Sequence, residues 1–159
     1  MNNVFKLKDY PENTMILTDM DRVDYFDSYM ITKSMPDSIN ELTRQLLKAP
    51  GWVNALGKLR DLLVKPFGLK TEIEIKEEQL DSEFDFAPVL FRNDHEIVMG
   101  LNDKHLYFRL SVLNVVQHET AQVFLTTVVR FNNLGGKIYF SAIRLFHGLI
   151  VRSMLRRLS

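Results

Sequence analysis

Hydrophobic and polar residues alternate most regularly over residues 94–132, and this stretch predicts most of a β-sheet. Alternation at period two is typical of strands that bury one face and leave the other to water or a second layer. The turn chemistry of Asn102, Asp103 and Lys104 separates the first predicted strand from the second. The predicted strands are residues 96–101, 105–116 and 119–131.

The middle predicted strand has one apolar and one polar face. Its apolar face carries Leu106, Phe108, Leu110 and Val112, and its polar face carries His105, Tyr107, Arg109 and Ser111. Either face could meet the rest of the fold, because the register between strands is not determined by the pattern alone.

Upstream of this meander, the pattern predicts one strand, two short helices and two further strands. Residues 1–13 read as an irregular lead-in, and residues 23–32 are rich in aromatic and β-branched side chains, which favour a strand. Proline and serine near residue 36 begin a first helix, and Trp52, Leu56, Leu59 and Leu63 form the stripe of a second. The remaining predicted strands are residues 70–76 and 88–92, with an acidic loop between them.

The C-terminal stretch, residues 137–158, predicts one long helix. Its apolar side chains cover more than half of the circumference at about 100° per residue. Such a wide arc predicts burial on more than one side, which a curved sheet wrapped around the helix would provide. The predicted fold is therefore α+β, with an antiparallel sheet around a long C-terminal helix and two short helices after the first strand.

Length and composition favour a single domain over residues 1–159 and exclude several functions. The 20 basic and 20 acidic residues cancel, which argues against a nucleic-acid partner. The chain has no cysteine, which excludes a thiolate site, and its four histidines lack metal-ligand spacing, so we predict no metal. We see no secretion signal and no membrane-spanning run, so we predict a cytoplasmic protein.

Charge is distributed unevenly along the chain. Residues 72–85 are strongly acidic, whereas residues 137–159 contain Lys137, Arg144, Arg152, Arg156 and Arg157 and no acid. Such runs are usually solvated faces, but opposite charged poles would also follow from this distribution.

Four blocks of the sequence together resemble a bacterial family known only as a domain of unknown function. The resemblance covers roughly residues 14–157, with Asn102 where a second aspartate is expected. The matching blocks are VDYFDSY at 23–29; Trp52 with LRDLLV at 59–64 and FGLK at 67–70; EIVMG at 96–100 with DKHLYFRLSV at 103–112; and Asn132, LG at 134–135, YF at 139–140 and His147.

The element order also resembles the helix-grip arrangement of the START-like, or Bet v 1-like, superfamily (SRPBCC). That resemblance implies a ligand cavity between the sheet and the C-terminal helix. The family domain is also found after short-chain-dehydrogenase-like domains, which hints at small-molecule redox chemistry. No Gly-x-Gly-x-x-Gly follows a strand in this chain, so we predict no nicotinamide cofactor.

Four residues are the candidate ligand contacts: Tyr25, His105, Arg109 and His147. His105 and Arg109 share a face and could grip an anionic or hydroxylated ligand. They could instead lie on a wet outer face, with Arg109 paired to Glu96 and Asp103 capping the turn.

The other two candidates also have structural alternatives. Tyr25 lies between Asp24 and Asp27, which could supply an acid and a base but point to opposite faces of a strand. One of the two aspartates could instead be a cap or a salt-bridge partner. His147 lies at the edge of the apolar arc, where it could titrate in a cavity or be a hydrogen-bonded core residue.

Three functions follow from these patterns. The first is a domain that binds a small hydrophobic or amphipathic molecule in an internal cavity. The second is a cyclase- or isomerase-like enzyme using the same cavity, although no catalytic motif is present, so we expect binding rather than catalysis. The third is a non-enzymatic interaction module whose basic tail docks on an acidic partner or membrane surface. A homodimer through the sheet edges is also expected to be possible.

Overall fold

Antiparallel strands and two helices make up the described part of the chain. The structure is a computed structural model that describes residues 3–34, 37–48, 83–84 and 86–159. The elements in chain order are β1 (Phe5–Lys6), β2 (Tyr25–Ser34), α1 (Ile39–Leu47), β3 (Val89–Arg92), β4 (Glu96–Asn102), β5 (Leu106–Gln117), β6 (Thr120–Phe131) and α2 (Leu134–Arg156).

The described strands form one six-stranded curved sheet in the order β1-β2-β6-β5-β4-β3. All neighbouring strands are antiparallel. The β4–β5 turn is held by Asp103, whose Oδ1 accepts hydrogen bonds from the backbone N–H groups of His105 and Leu106, at 2.7 and 2.9 Å. The predicted meander is confirmed with bounds within one or two residues, and the α+β class is confirmed with it.

Both described helices pack on the same face of the sheet. The apolar face of β5 meets them, and it joins residues of β2, β4 and β6 in the main core. Each helix begins at a side-chain cap: Ser38 accepts from the N–H of Glu41, and Asn133 accepts from that of Gly136. The main buried core residues from the strands and helices are Tyr29, Ile31, Leu42, Leu46, Ile97, Met99, Leu110, Val112, Val123, Leu125, Val151 and Leu155.

The opposite face of the sheet is covered by residues 10–23, here called the covering segment. Ile16 is fully buried there with Val98 and Val128. The prediction of a wet outer face is therefore wrong, since the polar side chains of β4 and β5 lie beneath this segment. The lead-in is also more regular than predicted, because Phe5 and Lys6 form β1 and pair with β2.

Helix α2 differs from its prediction in burial rather than in extent. Its inner side buries Phe140, Val151 and Leu155, but several large apolar side chains on its outer side are exposed. The prediction that the wide apolar arc of this helix is buried on more than one side is wrong for the described residues, whereas the curved sheet with its C-terminal helix is compatible with the predicted helix-grip arrangement. The predicted second short helix and the strand over residues 70–76 lie outside the described residues.

Candidate functional site

A buried carboxylate forms the centre of a polar cluster between the sheet and α2. Asp27 is only 1% exposed, and its Oδ2 accepts a hydrogen bond of 2.7 Å from the hydroxyl of Tyr25. The Nε2 atom of His147 lies 3.3 Å from the same carboxylate and 3.1 Å from the Oγ1 atom of Thr127. We call Tyr25, Asp27, Thr127 and His147 the interface cluster.

Strand alternation and register bring three members of this cluster together. Tyr25 and Asp27 are two residues apart on β2, so both point towards α2. Thr127 is the direct partner of Asp27 across the β2–β6 pair. Helix α2 packs across both strands and places His147 over them. The next residue, Gly148, lies close to the Tyr29 hydroxyl. A Cβ atom at Gly148 would lie 2.8 Å from that hydroxyl, so glycine lets the helix approach.

Burial changes the ionisation of Tyr25 in the cluster and of the neighbouring Tyr29. Burial raises the pKa of Tyr25, and its hydrogen bond to Asp27 and the charge of that carboxylate raise the pKa further. Burial also raises the pKa of Tyr29, with a smaller contribution from Asp27. Both tyrosines therefore stay protonated across the physiological pH range, and Tyr25 is a hydrogen-bond donor to the carboxylate.

The tautomer of His147 follows from its partners. An ionised carboxylate only accepts hydrogen bonds, so the Nε2 atom that faces Asp27 carries a proton. In a neutral imidazole the Nδ1 atom is then unprotonated and can accept a hydrogen bond. The side chain of His147 keeps 16% of its surface exposed, so the cluster is not sealed from solvent.

Aromatic rings and two arginines surround the interface cluster. Tyr25 packs on Phe140, with ring centroids 4.6 Å apart, and the Arg144 guanidinium lies 5.5 Å from the Tyr25 ring centroid. Arg152 lies 5.5 Å from the ring centroid of Tyr29 in the same way. The site therefore combines apolar walls, a buried anion and cations at its outer edge.

The structure brings two of the four predicted site residues together and places the other two elsewhere. His105 lies at the start of α2, where its Nδ1 atom is 3.2 Å from the Oδ1 atom of Asn133. Its carbonyl is approached so closely by Gly136 that a Cβ atom there would lie 2.0 Å from the oxygen. As ligand contacts all four residues stay predictions, and the geometry groups only Tyr25 and His147.

Arg109 lies on the opposite face of the sheet, 3% exposed, beneath the covering segment. Its Nη1 atom donates to the carbonyls of Ile16 and Thr18, at 2.9 and 2.5 Å, and its Nε atom donates to the hydroxyl of Tyr107 at 2.8 Å. These contacts hold the covering segment against the sheet.

Glu96 anchors the same segment separately. Its carboxylate accepts from the hydroxyls of Thr14 and Ser111 and from the N–H of Met15, at 2.5, 2.5 and 2.7 Å. Because Glu96 pairs across the strands with Leu113, and Arg109 with Gly100, the expected Glu96–Arg109 ion pair does not form. The alternative that one aspartate near Tyr25 is a salt-bridge partner is confirmed for Asp24, which lies 3.1 Å from Arg22.

Sequence reasoning considered Asp27 only as one of two possible acid–base aspartates beside Tyr25, and it did not place Thr127 in a site. The period-two pattern of β2 already set Tyr25 and Asp27 on one face, and this was a usable signal. The participation of Thr127 depends on the β2–β6 register, which the sequence does not encode locally.

Two other features of the described residues bear on ligand binding. No group of three or more histidine, aspartate or glutamate side chains that could hold a metal ion occurs within those ranges. A groove of about 450 Å³ is lined by Ser38, Ile39, Asn40, Arg92, Asn93 and Asp94. This groove lies at the start of α1, away from the interface cluster.

Together, the fold and site define an α+β domain with helices on one face of an antiparallel sheet and a tyrosine–aspartate–histidine cluster beneath its C-terminal helix. The model of the family described as "Protein of unknown function (DUF2867)" matches residues 20–154, and the chain belongs to this family. The predicted resemblance to a family of unknown function is thereby confirmed. No curated protein and no solved structure matches the chain.

Proposed function

We propose that the chain is a helix-grip, START-like domain that binds a small amphipathic molecule at the interface cluster, between the sheet and α2. The observation that carries this proposal is the convergence of Tyr25, Asp27 and His147 on the core face of the sheet, with His147 still reached by solvent. Buried titratable groups that converge on one point are typical of binding and catalytic sites.

The surroundings of the cluster support a particular kind of ligand. Tyr25 and Phe140 supply an apolar wall, which favours a ligand with an aromatic or aliphatic body. The Nδ1 atom of His147, unprotonated in this tautomer, can accept a hydrogen bond from a hydroxyl group of the ligand. Arg144 and Arg152 at the outer edge favour a ligand that is neutral or weakly acidic over a cationic one.

Native mass spectrometry of gently purified protein tests the proposal. We expect a reproducible extra mass that is released on denaturation and that a lipophilic compound library can replace, with thermal stabilisation. The variant His147→Gln should lose the extra mass, whereas His95→Gln, an exposed histidine on the turn before β4, should keep it. A clean apo mass without stabilisation by any library compound would contradict the proposal.

We propose acid–base catalysis of the isomerase or cyclase kind as a second candidate function. Asp27 holds the proton on Nε2 of His147, and an aspartate that fixes a histidine in this way leaves Nδ1 as a base. The hydroxyl of Tyr25 donates to the Asp27 carboxylate and would hold this carboxylate in position beneath His147.

Deuterium exchange separates catalysis from binding alone. The ligand released from the protein would be incubated with fresh protein in D₂O and examined by mass spectrometry. Catalysis would be supported if the wild-type protein incorporates deuterium at a carbon atom of the ligand. The Asp27→Asn variant should then still bind the ligand but no longer catalyse this incorporation. Binding without any exchange or product would leave the first function and remove the second.

A further inference from the structure

The outer face of α2 carries a row of exposed apolar side chains that the interface cluster does not use. Leu145 is 75% exposed and Leu149 is 59% exposed. At about 100° per residue they lie on the side of the helix opposite the buried Phe140 and Val151. The row consists of Leu134, Ile138, Leu145, Phe146 and Leu149, all exposed, and is here called the outer stripe. It extends for about 22 Å along the helix axis.

Only positive charge accompanies this stripe on its own helix and on the residues that follow. Arg152 and Arg156 continue its line towards the C-terminus. Lys137 and Arg144 lie further round the helix, where the Arg144 guanidinium packs over the Tyr25 ring. All four side chains are exposed, and residues 134–159 contain no acidic residue. The face therefore combines an apolar centre with a cationic border.

This combination argues against a second copy of the chain as the occupant. A two-fold symmetric contact would set the stripe of one copy against that of the other. The cationic border of one copy would then lie against the cationic border of the other. Like charges that face each other across an interface are unfavourable. An anionic surface with an apolar interior complements both parts of the face at once, and an anionic lipid bilayer has this composition.

The packing of α2 decides how it would meet a bilayer. It is the one helix in the described ranges long and apolar enough to cross a membrane by length and composition, and 17% of its apolar window is buried. Crossing would require α2 to leave the sheet and expose Val151, Leu155 and the partners of His147. A helix that stays on the sheet can instead lie flat, with its outer stripe among the lipid headgroups and upper acyl chains.

We propose that the outer stripe and its basic border dock the protein on the surface of an anionic membrane, with α2 parallel to the bilayer plane. The membrane would then lie against the helix whose inner face carries His147. The proposal stands on the outer side of α2 alone and does not depend on ligand binding at the interface cluster.

Cosedimentation of the full chain with vesicles tests the two parts of this face. We expect binding at low salt to phosphatidylcholine vesicles with about one third phosphatidylserine, weaker binding at high salt, and little binding to phosphatidylcholine alone. Arg156→Ser with Arg157→Ser should weaken binding about 25-fold, at about fivefold per charge. The matched charge control, Lys8→Ser with Lys48→Ser, removes two exposed lysines that are not part of α2 and should change little.

The apolar part is tested with matched leucine and valine changes. Leu145→Ser with Leu149→Ser should weaken binding about tenfold or more, because less apolar surface leaves water. The control Leu17→Ser with Val116→Ser removes two exposed apolar side chains elsewhere and should keep wild-type binding. Unchanged binding by the Leu145/Leu149 variant would overturn the proposed orientation.

A site-specific probe gives an independent readout. The chain has no cysteine, so Leu145→Cys and Val116→Cys each create a single labelling site for an environment-sensitive fluorophore. We expect a blue shift with anionic vesicles at position 145 and none at position 116. The proposal would be overturned by no shift at either position, by no binding at low salt, or by a dimer in solution that the Leu145/Leu149 variant abolishes.

Discussion

Replacement of Tyr25 by phenylalanine removes one hydroxyl from the interface cluster and leaves the ring in place. The ring continues to pack on Phe140, and the change leaves the Asp27 carboxylate without its 2.7 Å hydrogen bond. His147 and Thr127 remain as the other groups around that site. The variant therefore isolates the hydrogen bond from the aromatic packing.

The expected cost follows from the charge and burial of the acceptor. A hydrogen bond to a charged group contributes about 1.5–3 kcal/mol to stability, and removal of one partner leaves the buried carboxylate undersolvated. For a chain of this size, that corresponds to a decrease in melting temperature of roughly 3–12 °C. Urea unfolding followed by circular dichroism should show a lower midpoint with an unchanged dependence on denaturant.

Alkaline pH provides a second readout of the same hydroxyl. The pKa of Tyr25 is raised in the folded protein above its ordinary value of 10.0, so the folded state holds this proton more tightly than the unfolded state. Its contribution to stability is complete below about pH 10 and is lost as the pH rises towards the folded pKa. The free energy of unfolding should therefore fall less steeply above pH 10 in Tyr25→Phe than in the wild type.

Two controls decide whether the reasoning holds. Tyr10→Phe removes a hydroxyl from a partly buried ring that packs against Phe26, with no hydrogen bond to Asp27, and should cost less than about 0.5 kcal/mol. A double-mutant cycle of Tyr25→Phe with Asp27→Asn should show coupling of about 1 kcal/mol or more. A Tyr25→Phe variant as stable as the Tyr10 control, or one with no coupling to Asp27, would refute the account of the cluster.

The remaining predictions concern the contacts that hold the layers together. Gly136→Ala should lower the free energy of unfolding in urea by about 2 kcal/mol or more, since the new Cβ atom would lie 2.0 Å from the His105 carbonyl oxygen. The control Gly135→Ala, whose Cβ atom would lie 3.2 Å from its nearest atom, should stay within about 1 kcal/mol of wild type. Glu96→Gln should cost about 1.5–3 kcal/mol and accelerate amide hydrogen exchange in the covering segment before the rest of the sheet. Arg109→Met should cost about 1–3 kcal/mol, because two backbone carbonyls of that segment lose their donor; unchanged exchange there would contradict its anchoring role.

Much of the sheet could be predicted because its information is local. The alternation over residues 94–132 and the turn chemistry around Asp103 predict β4, β5 and β6 with nearly the observed bounds. The same is true of the start of α1, where Ser38 is a helix cap. These signals depend on backbone propensity and on side chains only a few positions apart. They therefore act in the same way whatever the arrangement of distant segments.

The candidate site was only half predictable for the opposite reason. Tyr25 and Asp27 share a face by alternation, but their meeting with His147 joins positions 120 residues apart in sequence. The polar side chains of β4 and β5 could have faced solvent, yet Glu96 and Arg109 bind a segment more than 80 residues earlier in the chain. Long-range pairing decides these contacts, and no local pattern specifies it.

The sequence by itself therefore determined the α+β class, the meander, the start of α1 and the periodic faces of each element. Only the tertiary structure decided which sheet face meets the helices, that the covering segment closes the other face, and that one side of α2 stays exposed. The physical reason is that alternation and helical periodicity define faces within one element. Which faces are buried together depends on strand order, register and the path of distant segments across the sheet.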